Sequence, residues 1–342
     1  MMMKKLLSIL LAMAAVMGIV SCTDEPTINS ANENFDRLWT IIDEHYCFFE
    51  YKNVDWDEVG ARYRKQLNRK GGMTYREFFD ICASMLAELK DGHVNLASSF
   101  DVSRYWIWEQ YPQNFDERLV DEHYLGFVYR RVSGIKYAQL QDSTVGYIYY
   151  GDFSTGIGEG NIHDILKSMD NTKGLIIDVR SNGGGYLTNV ETLVRRFIDE
   201  RTYAGAIRHK TGKGHNDFSK PYHYYFEPSN GYRYIKKPVI VLANRGSFSA
   251  TNNFVSIMKS LPNVTVVGDA TGGGCGLPFT SEIPIGWSVR FSAAPITGPD
   301  GELTEWGVEP DVKVDMTSED TARGHDTILD TALHLIATAP QQ

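Results

Sequence analysis

The stretch Lys237-Pro-Val-Ile-Val-Leu-Ala-Asn-Arg-Gly-Ser-Phe-Ser-Ala-Thr-Asn252 joins a short apolar run to a turn and then to a helical pattern. Residues 239–242 form a β-branched run bounded by turn residues, which predicts a buried strand. Ser249 lies where this strand passes into the helix. A hydroxyl at such a junction points into the crevice at the carboxyl end of a sheet, beside the free amides of the first helical turn. Nucleophilic acyl transfer needs that geometry, although a serine at a helix start is also a common N-cap.

The chain around this stretch alternates between strand and helix patterns. Predicted strands cover residues 145–150, 174–179, 239–242 and 264–267, and predicted helices cover 158–169, 190–198 and 325–337. This rhythm predicts a sheet of parallel strands covered by helices, with ligands beyond the carboxyl ends of the strands. A hairpin is predicted over 278–294 with its turn at Ile285-Gly286, and further strands are predicted near 124–132.

The region before the alternating pattern is predicted to be helical. Residues 34–89 carry three amphipathic stripes, which begin at Phe35, Trp56 and Phe78. Thr74 and Glu77 have the spacing of a capping box, which predicts the start of the third helix. We therefore interpret residues 33–95 as an N-terminal helical subdomain and residues 96–342 as an α/β core.

The first 22 residues are interpreted as a targeting segment. Lys4 and Lys5 precede an apolar stretch over residues 6–20, which is short for a membrane span. Ile19-Val-Ser-Cys22 resembles a bacterial lipoprotein box. The resemblance implies export and lipid attachment at Cys22, with anchoring to the bacterial outer membrane on its periplasmic or surface side. An ordinary secretory signal cut near Ser21 is the alternative. Residues 23–32 are then a polar tether.

Composition excludes several classes of function. The formal net charge of −9 disfavours nucleic acid as a partner. Cys47, Cys82 and Cys275 are far apart, so they form neither a disulfide framework nor a metal site. No histidine or carboxylate cluster has metal-ligand spacing, and we predict no metal and no cofactor. Cys275 lies in a glycine-rich loop, where it is either a thiol near the site or a small apolar filler.

A glycine run follows one of the predicted strands, in Gly174-Leu-Ile-Ile-Asp-Val-Arg-Ser-Asn-Gly-Gly-Gly185. Its amides can converge on an anion. The run lacks Gly-Lys-Ser/Thr and does not open a helix as Gly-x-Gly-x-x-Gly, so an oxyanion hole suits it better than a phosphate loop. Asp178 and Arg180 are expected to pair with charged neighbours and brace the loop.

Five motifs in order carry a family resemblance: Asp91-Gly-His93, Asp178-Val-Arg-Ser-Asn-Gly-Gly-Gly185, Asn244-Arg-Gly-Ser-Phe-Ser-Ala250, Val267-Gly-Asp-Ala-Thr-Gly-Gly-Gly274 and Glu305-Trp-Gly-Val-Glu-Pro-Asp311. Together they resemble the C-terminal-processing (tail-specific) serine peptidases, which include the tricorn core. The resemblance covers roughly residues 35–314. It implies a helical N-terminal part and a crotonase-like (ClpP/crotonase) α/β/α peptidase core. About 50 residues separate His93 from the strand at Val145, too few for a PDZ domain, so none is predicted.

The resemblance places the nucleophile at Ser249 and the oxyanion donors at the amides of Gly184 and Ala250. Gly183 and Gly185 remain open as alternatives to Gly184. The Ser/Lys branch of the family carries a lysine in the loop after the nucleophile helix, but Gly274 stands at that position.

The tricorn-like branch uses a histidine and an acid instead, and the resemblance puts them at His93 and Glu305. That branch has a serine directly before the histidine, whereas this chain has Gly92. Outside the resemblance, a lone histidine after a helix end is more often a cap or a surface group. Asp91 is expected to serve the turn.

The sequence thus predicts a serine-type peptidase of the cell envelope, acting on a peptide or protein substrate. Ser249 attacks the peptide carbonyl, His93 is the general base, and Glu305 orients His93. One alternative is a binding protein for an apolar or peptide ligand on the same scaffold. Another is a decayed site, in which His93 would lie too far from Ser249 for proton transfer. Oligomeric state is left open.

Overall fold

The computed structural model of the chain describes residues 28–67, 72–106 and 110–339, so the predicted targeting segment and Cys22 lie outside its described part. The helices are α1 (Ala31–His45), α2 (Phe49–Lys52), α3 (Trp56–Arg64), α4 (Tyr75–Ala87), α5 (Glu117–His123), α6 (Glu159–Ser168), α7 (Leu187–Val194), α8 (Ala250–Lys259), α9 (Ser318–Ala322) and α10 (Thr327–Thr338). Across these described stretches, no helix has both the length and the apolar character that a membrane crossing requires.

The strands form two sheets. They are β1 (Asn95–Ala97), β2 (Arg130–Val132), β3 (Ile135–Leu140), β4 (Val145–Tyr150), β5 (Gly174–Asp178), β6 (Thr202–Ile207), β7 (Tyr222–Phe226), β8 (Val239–Ala243), β9 (Val264–Gly268), β10 (Gly276–Glu282), β11 (Ser288–Thr297) and β12 (Val312–Lys313). The larger sheet has the order β12-β9-β8-β5-β4-β3-β2. It is parallel from β12 to β4 and antiparallel beyond. The smaller sheet has the order β1-β11-β6-β7, with β10 also paired to β11.

The larger sheet is the middle layer of an α/β/α core. Every residue of β5 and β8 is buried, as expected for parallel strands covered on both faces. One face packs against α6, α7 and α8, and the other packs against α5 and α10. This arrangement confirms the predicted α/β class, and the strands of the alternating pattern are found within one residue of their predicted bounds.

The N-terminal helical part is also confirmed. Thr74 and Glu77 form the predicted reciprocal capping box at the start of α4. The apolar sides of α1, α3 and α4 pack on β11 and on residues that flank β10, with Trp287 and Phe291 in the shared core. Strand β1 pairs directly with β11. The predicted boundary near residue 95 therefore does not interrupt the packing, and the helices close onto the smaller sheet as one body.

Three local predictions were wrong. The tether was predicted to reach residue 32, but Ile28 is buried, its amide donates to the Met73 carbonyl, and α1 begins at Ala31. The helix predicted over 190–198 is α7, which begins earlier and ends at Val194.

Strands were predicted near 124–132, but only 130–132 is a strand there, and it is preceded by α5. Asp116 caps that helix by accepting from the amides of Arg118 and Leu119, a polar signal that the aromatic pattern masked. The described residues between β1 and β4 hold α5, β2 and β3 rather than a PDZ domain.

Candidate active site

Ser249 occupies a strained turn between β8 and α8. Its backbone has φ 60° and ψ −118°, a conformation that side-chain-bearing residues seldom adopt and that costs about 1–3 kcal/mol. The side chain makes no capping hydrogen bond to α8, so the N-cap interpretation does not hold. The Ser249 amide donates to the Gly273 carbonyl at 2.9 Å, and the Phe248 amide donates to the Asn182 carbonyl at 3.0 Å. The turn is thus fixed from two sides, and the hydroxyl is left available.

His93 meets this hydroxyl. The distance between His93 Nε2 and Ser249 Oγ is 2.9 Å. His93 is 2% exposed, and its ring packs on Phe248 with 4.7 Å between the ring centroids. The contact joins the turn after α4 to the turn before α8, which are 156 residues apart. The two side chains are therefore close enough for proton transfer, which a decayed site would not allow.

Phe248 accounts for both departures from the family pattern. A Cβ on Gly92 would lie 2.9 Å from the Phe248 ring, and a Cβ on Gly274 would lie 2.4 Å from it. Gly274 also has φ 83°, which disfavours a side chain. The ring therefore fills the space that a serine at position 92 or a lysine at position 274 would need.

The His93 imidazole is neutral at pH 7. Burial lowers its pKa to about 4, although the negative charge of Asp91 partly offsets this effect. When Nε2 accepts the Ser249 proton, Nδ1 carries the ring proton. Nδ1 is buried and has no hydrogen-bond partner among the described residues. A neutral imidazole with Nε2 directed at a hydroxyl is a competent general base.

A buried ionic cluster lies behind His93. Lys52 Nζ contacts Glu305 Oε1 at 2.6 Å and Asp91 Oδ2 at 3.4 Å, and these side chains are at most 2% exposed. Asp91 also accepts from Tyr46 Oη at 2.9 Å and from the His93 amide at 2.8 Å. Asp91 thus binds the backbone of the base as well as serving the turn. We call Lys52, Asp91 and Glu305 the lysine cluster.

The charges within the lysine cluster are unequal. Burial raises the pKa of Glu305, and the nearby Asp91 charge adds to this effect. Burial would also raise the pKa of Asp91. The charges of Lys52 and His93, and the hydrogen bonds that Asp91 accepts from the His93 amide and Tyr46, hold that pKa below its usual value. Burial opposes the charge on Lys52, yet the two carboxylates raise its pKa. One cation is therefore shared between a firmly ionised carboxylate and one that takes up a proton more readily.

Glu305 does not bind the histidine. Its carboxylate is held by Lys52 and by the Cys275 amide, which donates to Oε2 at 3.0 Å. The prediction that Glu305 orients His93 is therefore not supported by a hydrogen bond, because Lys52 and the Cys275 amide hold the carboxylate and His93 Nδ1 has no partner among the described residues. Sequence reasoning missed Lys52. The local sequence pattern does not indicate that Lys52 is buried, because its partner Glu305 lies 253 positions away.

The glycine run lies beside the nucleophile. The Gly184 amide donates to Asn182 Oδ1 at 3.0 Å, which argues against Gly184 as the oxyanion donor. Gly185, Ser249 and Ala250 line one cavity of about 80 Å³. The amides of Gly185 and Ala250 form no hydrogen bond within the described part of the chain. Gly183 lines a different cavity. The pair Gly185 and Ala250 therefore fits an oxyanion hole better than the predicted pair with Gly184.

The predicted brace below the glycine run is confirmed. Arg180 contacts Asp178 Oδ2 at 2.6 Å and Asp326 Oδ2 at 2.9 Å, and all three side chains are fully buried. Asp326 in turn caps α10 through the amides of Ile328 and Leu329. This cluster, named here the arginine cluster, ties the end of β5 to the C-terminal helix.

Cys275 is buried in the cavity wall. Burial raises the pKa of its thiol well above the ordinary value, so the thiolate is disfavoured. Its amide serves Glu305, and its side chain acts as the small filler that was one of the two interpretations.

Comparison with known proteins gives a consistent result. Residues 144–314 match the sequence profile of peptidase family S41, and residues 29–87 match that of the tricorn protease C1 domain. A crystal structure of a putative peptidase from Parabacteroides merdae is 50% identical, with a TM-score of 0.85, and the match covers 90% of this chain and 97% of that one.

Two curated proteins are more distant relatives. The carboxy-terminal processing protease CtpA of Bacillus subtilis is 26% identical over 183 residues, covering 53% of this chain and 37% of that protein. The putative tricorn-like protease C-terminal subunit of Sulfurisphaera tokodaii is 24% identical over 230 residues, covering 64% of this chain and 24% of that protein. The chain thus spans well under half the length of these relatives.

Proposed function

The chain belongs to the S41 peptidase family, and on that premise we propose that it is a serine peptidase that hydrolyses peptide bonds through an acyl-enzyme at Ser249. The 2.9 Å contact between His93 Nε2 and Ser249 Oγ is the observation that carries the proposal. The strained backbone of Ser249 and the two open amides beside it support the same reaction class.

The reaction begins when His93 Nε2 takes the proton of Ser249 Oγ as this oxygen bonds to the substrate carbonyl carbon. The resulting oxyanion accepts hydrogen bonds from the amides of Gly185 and Ala250. His93 then gives the proton to the leaving amine, the C–N bond breaks, and an ester remains on Ser249. A water deprotonated by His93 attacks the ester, and its cleavage returns the proton to Ser249.

The lysine cluster supports the base in this mechanism. Imidazolium formation next to the cluster is favoured by the Asp91 carboxylate and opposed by Lys52. Lys52 itself is not the base of a Ser/Lys mechanism. Its ammonium is engaged by Glu305, Asp91 and the Lys90 carbonyl at 3.2 Å, which uses its three donors. Glu305 therefore acts on the base indirectly, by holding Lys52 in place behind it.

Replacement of Ser249 tests the proposal directly. Ser249→Ala should lower kcat/KM for peptide hydrolysis by at least about a thousandfold, because it removes the hydroxyl that contacts His93 Nε2 and that forms the acyl-enzyme. It should also abolish labelling by a fluorophosphonate probe. Ser260→Ala, at the other end of α8, is the matched control and should keep both activities. Turnover retained by Ser249→Ala would refute the mechanism. An unlabelled wild-type protein that copurifies with an apolar ligand would favour the binding alternative.

We also infer from the sequence that the chain is exported and anchored through a lipid on Cys22. The basic start, the apolar stretch and the cysteine at the cleavage position support this inference. Metabolic labelling with a palmitate analogue should mark the wild-type protein in the membrane fraction. Cys22→Ala should lose the label and leave the membrane fraction. An unlabelled wild-type protein recovered in soluble form would contradict the anchor.

A further inference from the structure

Arg290 has no role in the mechanism above, yet it lines the cavity that Ser249 faces. It lies on β11, opposite Asn95 of β1 and Thr280 of β10. Its neighbours Val289 and Phe291 are fully buried in the core, whereas Arg290 is exposed. The alternation along the strand thus places its side chain on the cavity side of the sheet.

The guanidinium of Arg290 has no binding partner of its own among the residues that the structure describes. Over the described ranges it forms no hydrogen bond and no ion pair within 4 Å. The carboxylate that it senses electrostatically is Asp91, and Asp91 is already engaged by Lys52, Tyr46 and the His93 amide. A guanidinium offers five donors in a plane, so all of them remain open to a ligand at this site.

The other walls of the cavity carry no competing charge. Its remaining lining in the described part of the chain is uncharged, with apolar side chains such as Leu187, Leu277 and Ile296. The cavity is also small, at about 80 Å³. Of the described residues that line the cavity, Arg290 is therefore the one whose charge can match a charged ligand group that enters beside Ser249. Planar bidentate pairing makes a carboxylate the best match.

We propose that Arg290 binds a carboxylate of the peptide substrate close to the scissile bond and so selects acidic substrates. This inference rests on the proposed peptidase function. The carboxylate belongs either to an Asp or Glu side chain or to the C-terminus of the substrate, and both present the same group. A bound carboxylate would also offset the positive field of Arg290 at His93, which favours the imidazolium formed during acyl transfer.

Binding to the Ser249→Ala protein tests the inference without any need for turnover. The probes are fluorescein-labelled random heptapeptide pools with one fixed position, Glu or Gln, and with a C-terminal carboxylate or carboxamide. The acidic pools should bind about tenfold to a hundredfold more tightly than the neutral pool in low salt. The Glu/Gln and carboxylate/carboxamide pairs separate the two sources of the group. In wild-type protein, mass spectrometry of cleaved pools should show the same preference.

Substitution of Arg290 then decides whether this residue makes the selection. In the Ser249→Ala background, Arg290→Gln should bring the ratio between acidic and neutral pools close to one, whereas Arg290→Lys should keep part of it. Arg118→Gln, an exposed arginine on α5, should leave the ratio unchanged. If Arg290 acted only on the pKa of His93, its loss would shift the pH profile equally for every pool and preserve the ratio.

An unaltered ratio in Arg290→Gln, or the absence of any preference in the parent protein, would overturn the inference. Thermal unfolding confirms that each variant is folded. Fluorophosphonate labelling of wild-type protein reports separately on the proposed function. A labelled protein without acidic preference loses only the inference. An unlabelled protein that still prefers carboxylates loses the peptidase mechanism and keeps only the carboxylate-binding role of Arg290.

Discussion

Two buried clusters of this molecule are alike in composition, since each sets one cation between two carboxylates. The arginine cluster joins Arg180 to Asp178 and Asp326 with contacts of 2.6 and 2.9 Å. The lysine cluster has contacts of 2.6 and 3.4 Å, to Glu305 and Asp91. All six side chains are at most 2% exposed.

The two clusters differ in how many hydrogen bonds the cation can donate to the two carboxylates. The guanidinium donates through separate nitrogens to both carboxylates, and Asp178 also accepts from Tyr147 Oη at 3.0 Å. A lysine ammonium is a point charge without this fork. Burial raises the pKa of Glu305 in the lysine cluster and that of Asp326 in the arginine cluster, so this feature is common to both, whereas Lys52 lies behind the base. The arginine cluster therefore fixes structure, whereas the lysine cluster sets the field in which His93 works.

The largest effect is expected from Arg180→Met. The substitution leaves two carboxylates buried without their cation, and it should lower the free energy of unfolding by about 3–5 kcal/mol. Urea unfolding followed by tryptophan fluorescence measures this loss. Arg131→Met, at an exposed arginine, should change the same quantity by less than about 0.5 kcal/mol. A loss below about 1 kcal/mol for Arg180→Met would show that the cluster is not structural.

A somewhat smaller effect is expected from protonation of His93. The folded pKa is about 4, below the unfolded value of about 6.5. Between these two pKa values the unfolded chain binds a proton that the folded chain does not bind. The free energy of unfolding is therefore highest above pH 6.5 and falls as the pH is lowered to 4. The loss reaches about 3 kcal/mol. Unfolding curves at pH 7 and pH 4 should diverge less for His93→Gln than for wild-type protein. Equal divergence would contradict the lowered pKa.

The smallest effect on stability is expected from Lys52→Met, at about 1–3 kcal/mol. It should cost less than Arg180→Met because Lys52 makes one short contact to a carboxylate, whereas Arg180 donates through several nitrogens to both Asp178 and Asp326. Loss of the lysine charge should also raise the pKa of His93 and move the acid limb of kcat/KM to higher pH.

The exposed Lys220→Met is the control for Lys52→Met in both measurements. Equal stability losses for Lys52→Met and Arg180→Met would erase the distinction between the clusters. An acid limb that stays in place would show that the lysine cluster does not act on the base.

The structural features that could be predicted were those that depend on the local sequence pattern. The β-branched run of β8 and the helical spacing of α8 placed Ser249 at a junction, and the capping box placed the start of α4. Such signals depend on residues within a few positions of one another, and tertiary packing did not override them. The prediction for the segment around α5 was wrong because the short polar cap at Asp116 was outweighed by an aromatic pattern that is typical of strands.

The sequence by itself determined the α/β alternation, the nucleophile turn and, through the order of its motifs, the pairing of Ser249 with His93. Only the tertiary structure decided that Lys52 holds Glu305, that Phe248 fills the space at Gly92 and Gly274, and that Arg290 faces the cavity. The physical reason is that the burial and the contacts of a charged group or a ring depend on the residues that pack around it. These neighbours meet only when the N-terminal helices pack onto β11.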